Sequence, residues 1–162
     1  MNETITAPHP TAPATDRAAA PSFRFDTKIA VVVREDLAVW QKLNITAFLA
    51  SGVAHAGPEG EQGVMGRPYE DASGGLYLPL FREPVLCFAA DAAGLARTRN
   101  RAAGRGLPTA LYTAQMFTTG NDADNRAVVR AVPGEELDLV GLAVYGPRGQ
   151  VDKVVKGLRL HD

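Results

Sequence analysis

A single cysteine, Cys87, stands in a chain of 162 residues, so no disulfide can close within it. That usage fits a reducing, cytoplasmic setting. Charge of one sign is also lacking: 17 Lys and Arg face 18 Asp and Glu, a formal charge of −1. The near balance excludes a strongly basic nucleic-acid binder and argues against a nucleic-acid partner. No run is apolar over the roughly 18 residues that a membrane span needs, so no membrane segment is expected. The three histidines, His9, His55 and His161, are scattered and carry no metal-ligand spacing. No Gly-x-Gly-x-x-Gly, Walker-type loop or Gly-x-Ser-x-Gly occurs. Nothing in the sequence calls for a cofactor or a metal. No internal repeat is present.

What is present is an ordinary globular composition, 46% hydrophobic and 22% charged. That excludes a disordered or collagen-like chain. Arginine outnumbers lysine, and Ala, Gly and Pro are abundant, as in proteins from GC-rich bacterial genomes. Residues 1–22 differ from the rest: Thr4-Ile5-Thr6-Ala7-Pro8 and Arg17-Ala18-Ala19-Ala20-Pro21 lack periodicity. They lack the apolar h-region of a secretory signal and read as a flexible tail. Residues 23–162 read as one domain.

Lys28-Ile29-Ala30-Val31-Val32-Val33 is a β-branched run apolar on both faces, which predicts a central strand covered on both sides. A helix is expected from Leu37 to about Ala54, with Asp36 as its N-cap. The stretch from Gly57 to Gly75 is glycine-rich and reads as a functional or mobile loop. Leu76-Tyr77-Leu78-Pro79 suits a short edge strand. Further strands are expected at Pro84–Ala89, Thr109–Thr113 and Leu137–Gly146. Helices are expected at Asp91–Gly104, Asn121–Val132 and Gln150–Lys156. Asp91 would cap the first of these and Gly104 or Gly106 would close it. Strands alternating with helices predict an α/β fold with a mostly parallel or mixed sheet. Cys87 sits in a strand-like run and reads as a small core residue.

On the first helix, Val39, Trp40, Leu43, Ala47, Ala50 and Ala54 share one broad apolar face at about 100° per residue. That face is expected to meet the core. Ile45 and Leu49 lie opposite, which suggests a helix covered on two sides and a homodimer as the assembly. Arg97, Arg101 and Arg105 recur every four residues and read as a solvated face.

The run Lys28-Ile29-Ala30-Val31-Val32-Val33-Arg34-Glu35-Asp36-Leu37 resembles the opening of the bacterial type 2 peptidyl-tRNA hydrolases. Leu142-Ala143-Val144-Tyr145-Gly146-Pro147 and Asp152-Lys153-Val154-Val155-Lys156-Gly157-Leu158-Arg159-Leu160 resemble their closing segments. The likeness spans Lys28 to Leu160. It is closer still to the uncharacterised DUF2000 proteins, which carry Arg-x-Asp-Leu followed within the helix by an asparagine, here Asn44. The resemblance implies a three-layer α/β/α sandwich around a mixed, mostly parallel sheet. The hydrolase pattern does not carry over. Its helix lysine falls on Leu43, and its aspartate falls on Thr113 of Thr113-Ala114-Gln115-Met116-Phe117. Loss of a cation and a carboxylate removes groups that would activate water or steady a developing charge.

In open α/β sheets ligands bind beyond the carboxyl ends of the strands. Those ends are expected to carry Arg34-Glu35-Asp36, Tyr112-Thr113-Ala114-Gln115 and Tyr145-Gly146-Pro147. Trp40, Asn44, Thr113, Gln115 and Tyr145 are therefore the candidate ligand-binding residues, with a small molecule as the expected ligand. A rearranged hydrolase or transferase site would draw on Asp36, Lys42 and Thr113. A homodimeric interaction protein is the third reading, with the first helix and the tail at its interface.

Overall fold

Residues 24–57 and 63–162 are described by the computed structural model. The segment read as a flexible tail lies outside the described residues, as do residues 58–62 of the glycine-rich stretch. Strand β1, Thr27–Arg34, is the central strand that its sequence predicts. Ile29, Val31 and Val33 point to one face of the sheet, and Ala30 and Val32 to the other. Side chains alternate along a strand, so a continuous apolar run divides itself between two cores.

Helix α1, Val39–Ala56, covers one of those cores. Strand β4, Val85–Ala90, pairs parallel with β1, and helix α2, Ala92–Ala103, follows it. Asp91 caps α2 by accepting the Gly94 N–H at 2.6 Å, and Gly104 closes it, both as predicted. Strand β5, Thr109–Thr113, leads through a short 3-10 turn, Ala114–Thr118, to helix α3, Asp122–Arg130. Strand β6, Leu139–Pro147, helix α4, Arg148–Val154, and strand β7, Arg159–Leu160, complete the main body. Helices α2 and α4 pack on the face opposite α1, through Leu95, Ala102, Val151 and Val154.

The five strands run in the order β5-β6-β1-β4-β7. Only β1 and β4 are parallel; β6 runs antiparallel to both β1 and β5, and β7 antiparallel to β4. The sheet is mixed but mostly antiparallel, which corrects the mostly parallel expectation. The cause is the path of α3. It packs against the 3-10 turn after β5 instead of crossing a sheet face. The chain therefore re-enters the sheet at the end where β5 left it, with Leu139 opposite Thr113. Alternation of strands and helices does not by itself fix strand direction.

Helix α1 also corrects the sequence reading. Its buried residues are Ile45, Leu49 and Val53, whereas Val39, Trp40 and Leu43 are 73%, 63% and 68% exposed. Three of the six residues on the expected face are alanines, which bury little area. Ile, Leu and Val bury several methylenes each, at about 0.8 kcal/mol per methylene. Asp36 is not the cap. The Ala38 N–H is closed instead by Gln41 Oε1 at 3.0 Å, and Asp36 accepts from Arg34 Nε at 2.8 Å.

The glycine-rich stretch does not end in an edge strand of the main sheet. Strand β3, Leu76–Tyr77, pairs with β2, Tyr69–Glu70, in a separate hairpin. The Gly66 N–H donates to Leu80 O and the Arg82 N–H to Val64 O, which continues the ladder toward the main body. The result is an arm whose tip is folded around Asp71. Of the arginine stripe on α2, Arg101 is partly buried, donating to Lys156 O at 2.8 Å at the end of α4. Cations suit helix C-termini, so this residue ties two elements together. Cys87 is half-buried and packs against the core under α1; burial pushes its thiol pKa up.

Candidate functional site

Gly52 lets α1 approach β5 closely, since a Cβ there would stand 2.8 Å from Ala110 Cβ. Beyond this contact α1 and α3 diverge. Between them a groove of about 710 Å³ runs along β5. Phe48 and Ser51 of α1 form one wall, Asn125, Val129 and Arg130 of α3 the other, with Leu111 of β5 at the base. A smaller depression of about 240 Å³ adjoins it, shares Gly52 and Ala110, and reaches Thr109 and His55. The volume is that of a small-molecule site, apolar with a few polar groups.

An aromatic chain holds the walls together. Phe48 and Tyr112 have ring centroids 5.6 Å apart, and Tyr112 and Phe117 are 5.2 Å apart. Trp40 meets Phe117 edge-on at 5.9 Å. Such contacts fix rings beyond what area burial alone provides. The Tyr112 hydroxyl donates to Met116 O at 3.4 Å, and burial raises its pKa, so it stays a neutral donor. At the mouth, the Asn121 side chain accepts the Asp124 N–H at 2.9 Å. Asn125 is bonded to the Thr119 hydroxyl, and Arg126 pairs with Asp122.

The candidate residues divide. Trp40, Asn44, Phe48 and Ser51 follow one another along a single side of α1, three or four residues apart. Asn44 is exposed. Thr113 is 1% exposed, and its N–H faces Met116 Sδ at 3.4 Å. Gln115 is exposed on the 3-10 turn, its carbonyl accepting the Thr118 hydroxyl at 2.8 Å. Phe48 and Ser51 line the groove, whereas Trp40, Asn44, Thr113 and Gln115 do not; Thr113 and Gln115 are the sequence neighbours of the lining residues Tyr112 and Met116. Tyr145 does not join them. Because β6 is antiparallel, Tyr145 pairs with Ile29 at the start of β1, the opposite end of the sheet. Lys42 is half-buried in the first turns of α1, with its carbonyl taken by the Thr46 hydroxyl. Asp36 is held by Arg34, which also binds Asp138 at 2.7 Å. Among the described residues, no group of three or more His, Cys, Asp or Glu side chains could hold a metal ion. Nor is any helix among them long and apolar enough to cross a membrane.

Residues 27–162 match the family described as "Protein of unknown function (DUF2000)". The chain belongs to the DUF2000 family. A solved structure, that of a protein of unknown function, Atu0240, from Agrobacterium tumefaciens strain C58, is similar to this DUF2000 chain at 45% identity. It covers 86% of this chain and 100% of its own, with a TM-score of 0.79. No curated protein matches. In this DUF2000 chain the Arg-x-Asp-Leu run is structural in geometry: Arg34 clamps its own loop to Asp138, before β6. Sequence reasoning missed Gly52, Met116, Asn125 and Arg130. Their meeting depends on β5 being an edge strand, and no local pattern carries that.

Proposed function

We propose that this DUF2000 protein is a binding protein that holds a small ligand in the groove between α1, β5 and α3. The observation that carries the proposal is the groove itself, which joins apolar walls to a few hydrogen-bonding groups. Asn44 and Gln115 are exposed, one on the α1 side that carries Phe48 and Ser51 and the other next to Met116, and we take them as the polar groups nearest the groove, while Thr113 is buried and supports the turn after β5. The two amides suit recognition of an amide, sugar or base edge better than acid–base chemistry. We place the fold beside that of the type 2 peptidyl-tRNA hydrolases on the strength of the Lys28–Leu37 and Leu142–Leu160 runs. The positions that would carry hydrolysis support binding instead. Leu43 replaces the lysine and points to solvent, Thr113 replaces the aspartate and is buried, and Asp36 is engaged by Arg34.

A cleavage assay on peptidyl-tRNA tests the absence of hydrolysis. Release of tRNA at the uncatalysed rate is expected. Clear turnover that Thr113→Ala abolishes would favour a rearranged site of Asp36, Lys42 and Thr113. The groove is tested by Gly120→Trp. Gly120 lines the groove and a Cβ there meets nothing within 4 Å, so an indole can be accommodated at the groove without displacing the core. Fluorinated fragments that bind the wild-type protein lose at least tenfold in affinity in this variant.

A second copy of the chain is our proposal for the outer side of α1. Val39 and Leu43 lie one turn apart there and are 73% and 68% exposed. Large apolar residues in such a cluster mark interaction surfaces.

A further inference from the structure

The groove has a floor that small-molecule sites rarely have: the open edge of a β-strand. Strand β5 ends the sheet order, so among the described residues only β6 pairs with it. The Tyr145 N–H donates to Pro108 O at 3.5 Å, and Thr109 lies opposite Val144. In an antiparallel ladder, bonded and non-bonded pairs alternate. The bonded pairs are therefore Pro108 with Tyr145, Ala110 with Ala143, and Tyr112 with Gly141. It follows that the N–H and C=O groups of Thr109 and Leu111 point away from β6. The next outward N–H, on Thr113, is covered by Met116 Sδ. Leu111 lines the groove and Thr109 lines the depression that continues it. Two outward donor–acceptor pairs thus lie in line along two adjoining hollows that share Gly52 and Ala110.

We propose that the groove takes an extended peptide segment, which adds to the sheet as a strand beside β5. This rests on the groove being the ligand site. A ligand that satisfies Leu111 must bring an acceptor and a donor at strand spacing, and a peptide backbone supplies both. Side chains alternate along such a strand, so every second one meets the apolar walls at Phe48, Met116 and Val129. Charge selects further. Arg126 is neutralised by Asp122, but Arg130 has no ion pair among the described residues. A carboxylate in the segment would complement it. The occupant is an extended peptide with apolar residues at alternate positions and an acidic residue toward Arg130.

The test uses 15N-labelled full-length protein and a synthetic pool, Ac-Xaa-Val-Xaa-Val-Glu-NH2. Two control pools accompany it, one N-methylated at both valines and at the intervening residue, the other with Lys for Glu. Exchange of the Leu111 amide should slow at least tenfold with the first pool, and the N-methylated pool should not bind. The Lys pool should bind about tenfold more weakly, a preference that Arg130→Glu reverses. Shifts along the groove with unchanged Leu111 exchange, or equal binding of the N-methylated pool, would overturn strand addition and leave the groove as a ligand site. Fluorinated fragments bound in the groove with no response to any peptide pool would do the same. No response in the groove to peptides or fragments would overturn the ligand-site reading itself.

Discussion

Gly52 on α1 faces Ala110 on β5 with no room for a side chain between them: a Cβ built on Gly52 would be 2.8 Å from that of Ala110. This contact decides how far the helix stands from the edge strand, and with it the width of the groove. Gly52→Ala forces the two elements apart. Overpacking of this kind costs about 1–3 kcal/mol. The better helix propensity of alanine returns about 0.5–1 kcal/mol. Urea unfolding should show a net loss of up to about 2.5 kcal/mol, and the effect of Gly52→Ala should be smaller in an Ala110→Gly background. Additive single effects in that double-mutant cycle would contradict the contact.

Which side of α1 meets the core is open to direct test. Ile45→Ala or Leu49→Ala removes a fully packed side chain and should cost about 2–5 kcal/mol. Leu43→Ala, at a mostly exposed position, should stay within about 0.5 kcal/mol. The reverse ranking in thermal or urea unfolding would contradict the placement of the helix.

That helix marks where the sequence stops being legible. The strand at Lys28–Val33 and the caps at Asp91 and Gly104 are local properties and could be read directly. The orientation of α1 could not, because both of its sides carry apolar residues. The choice depends on which side chains bury more area and on Gly52 meeting Ala110. The direction of β6 was hidden for a similar reason: nothing in Leu139–Pro147 says that α3 stays at one end of the sheet. Tyr145 was therefore placed at the wrong end, and the groove along β5 was missed. Thr113, Gln115, Trp40 and Asn44 lie on β5, the turn after it and α1, the elements that bound the groove, but they do not line it.

The outer side of α1 gives a prediction about assembly. Sedimentation velocity of the wild-type chain should show a concentration-dependent dimer. Leu43→Glu should return it to a monomer whose thermal midpoint no longer rises with protein concentration. A monomer at every concentration contradicts the dimer.

The tip of the arm has its own pH dependence. The Tyr77 hydroxyl donates to Asp71 Oδ2 at 2.6 Å, and the Gly75 and Ser73 N–H groups donate to Oδ1 at 3.0 and 2.8 Å. These bonds, that of Tyr77 first, hold the Asp71 carboxyl below its usual 3.8. A lowered folded-state pKa stabilises the tip above the unfolded value, and the gain is lost as pH falls through the folded value. The Ser73 and Gly75 amide shifts should titrate with a midpoint below 3.8 and lose that titration in Asp71→Asn. A midpoint at or above the usual value contradicts the turn.

The central claim is that the ligand site is the groove along β5. Its most direct measurement is amide-shift mapping of bound fluorinated fragments on the 15N-labelled protein. Shifts concentrated at Leu111, Met116, Gly120 and Asn125, and absent in Gly120→Trp, are the expected result. Shifts clustered around Tyr145 at the opposite end of the sheet, unchanged by Gly120→Trp, would contradict it.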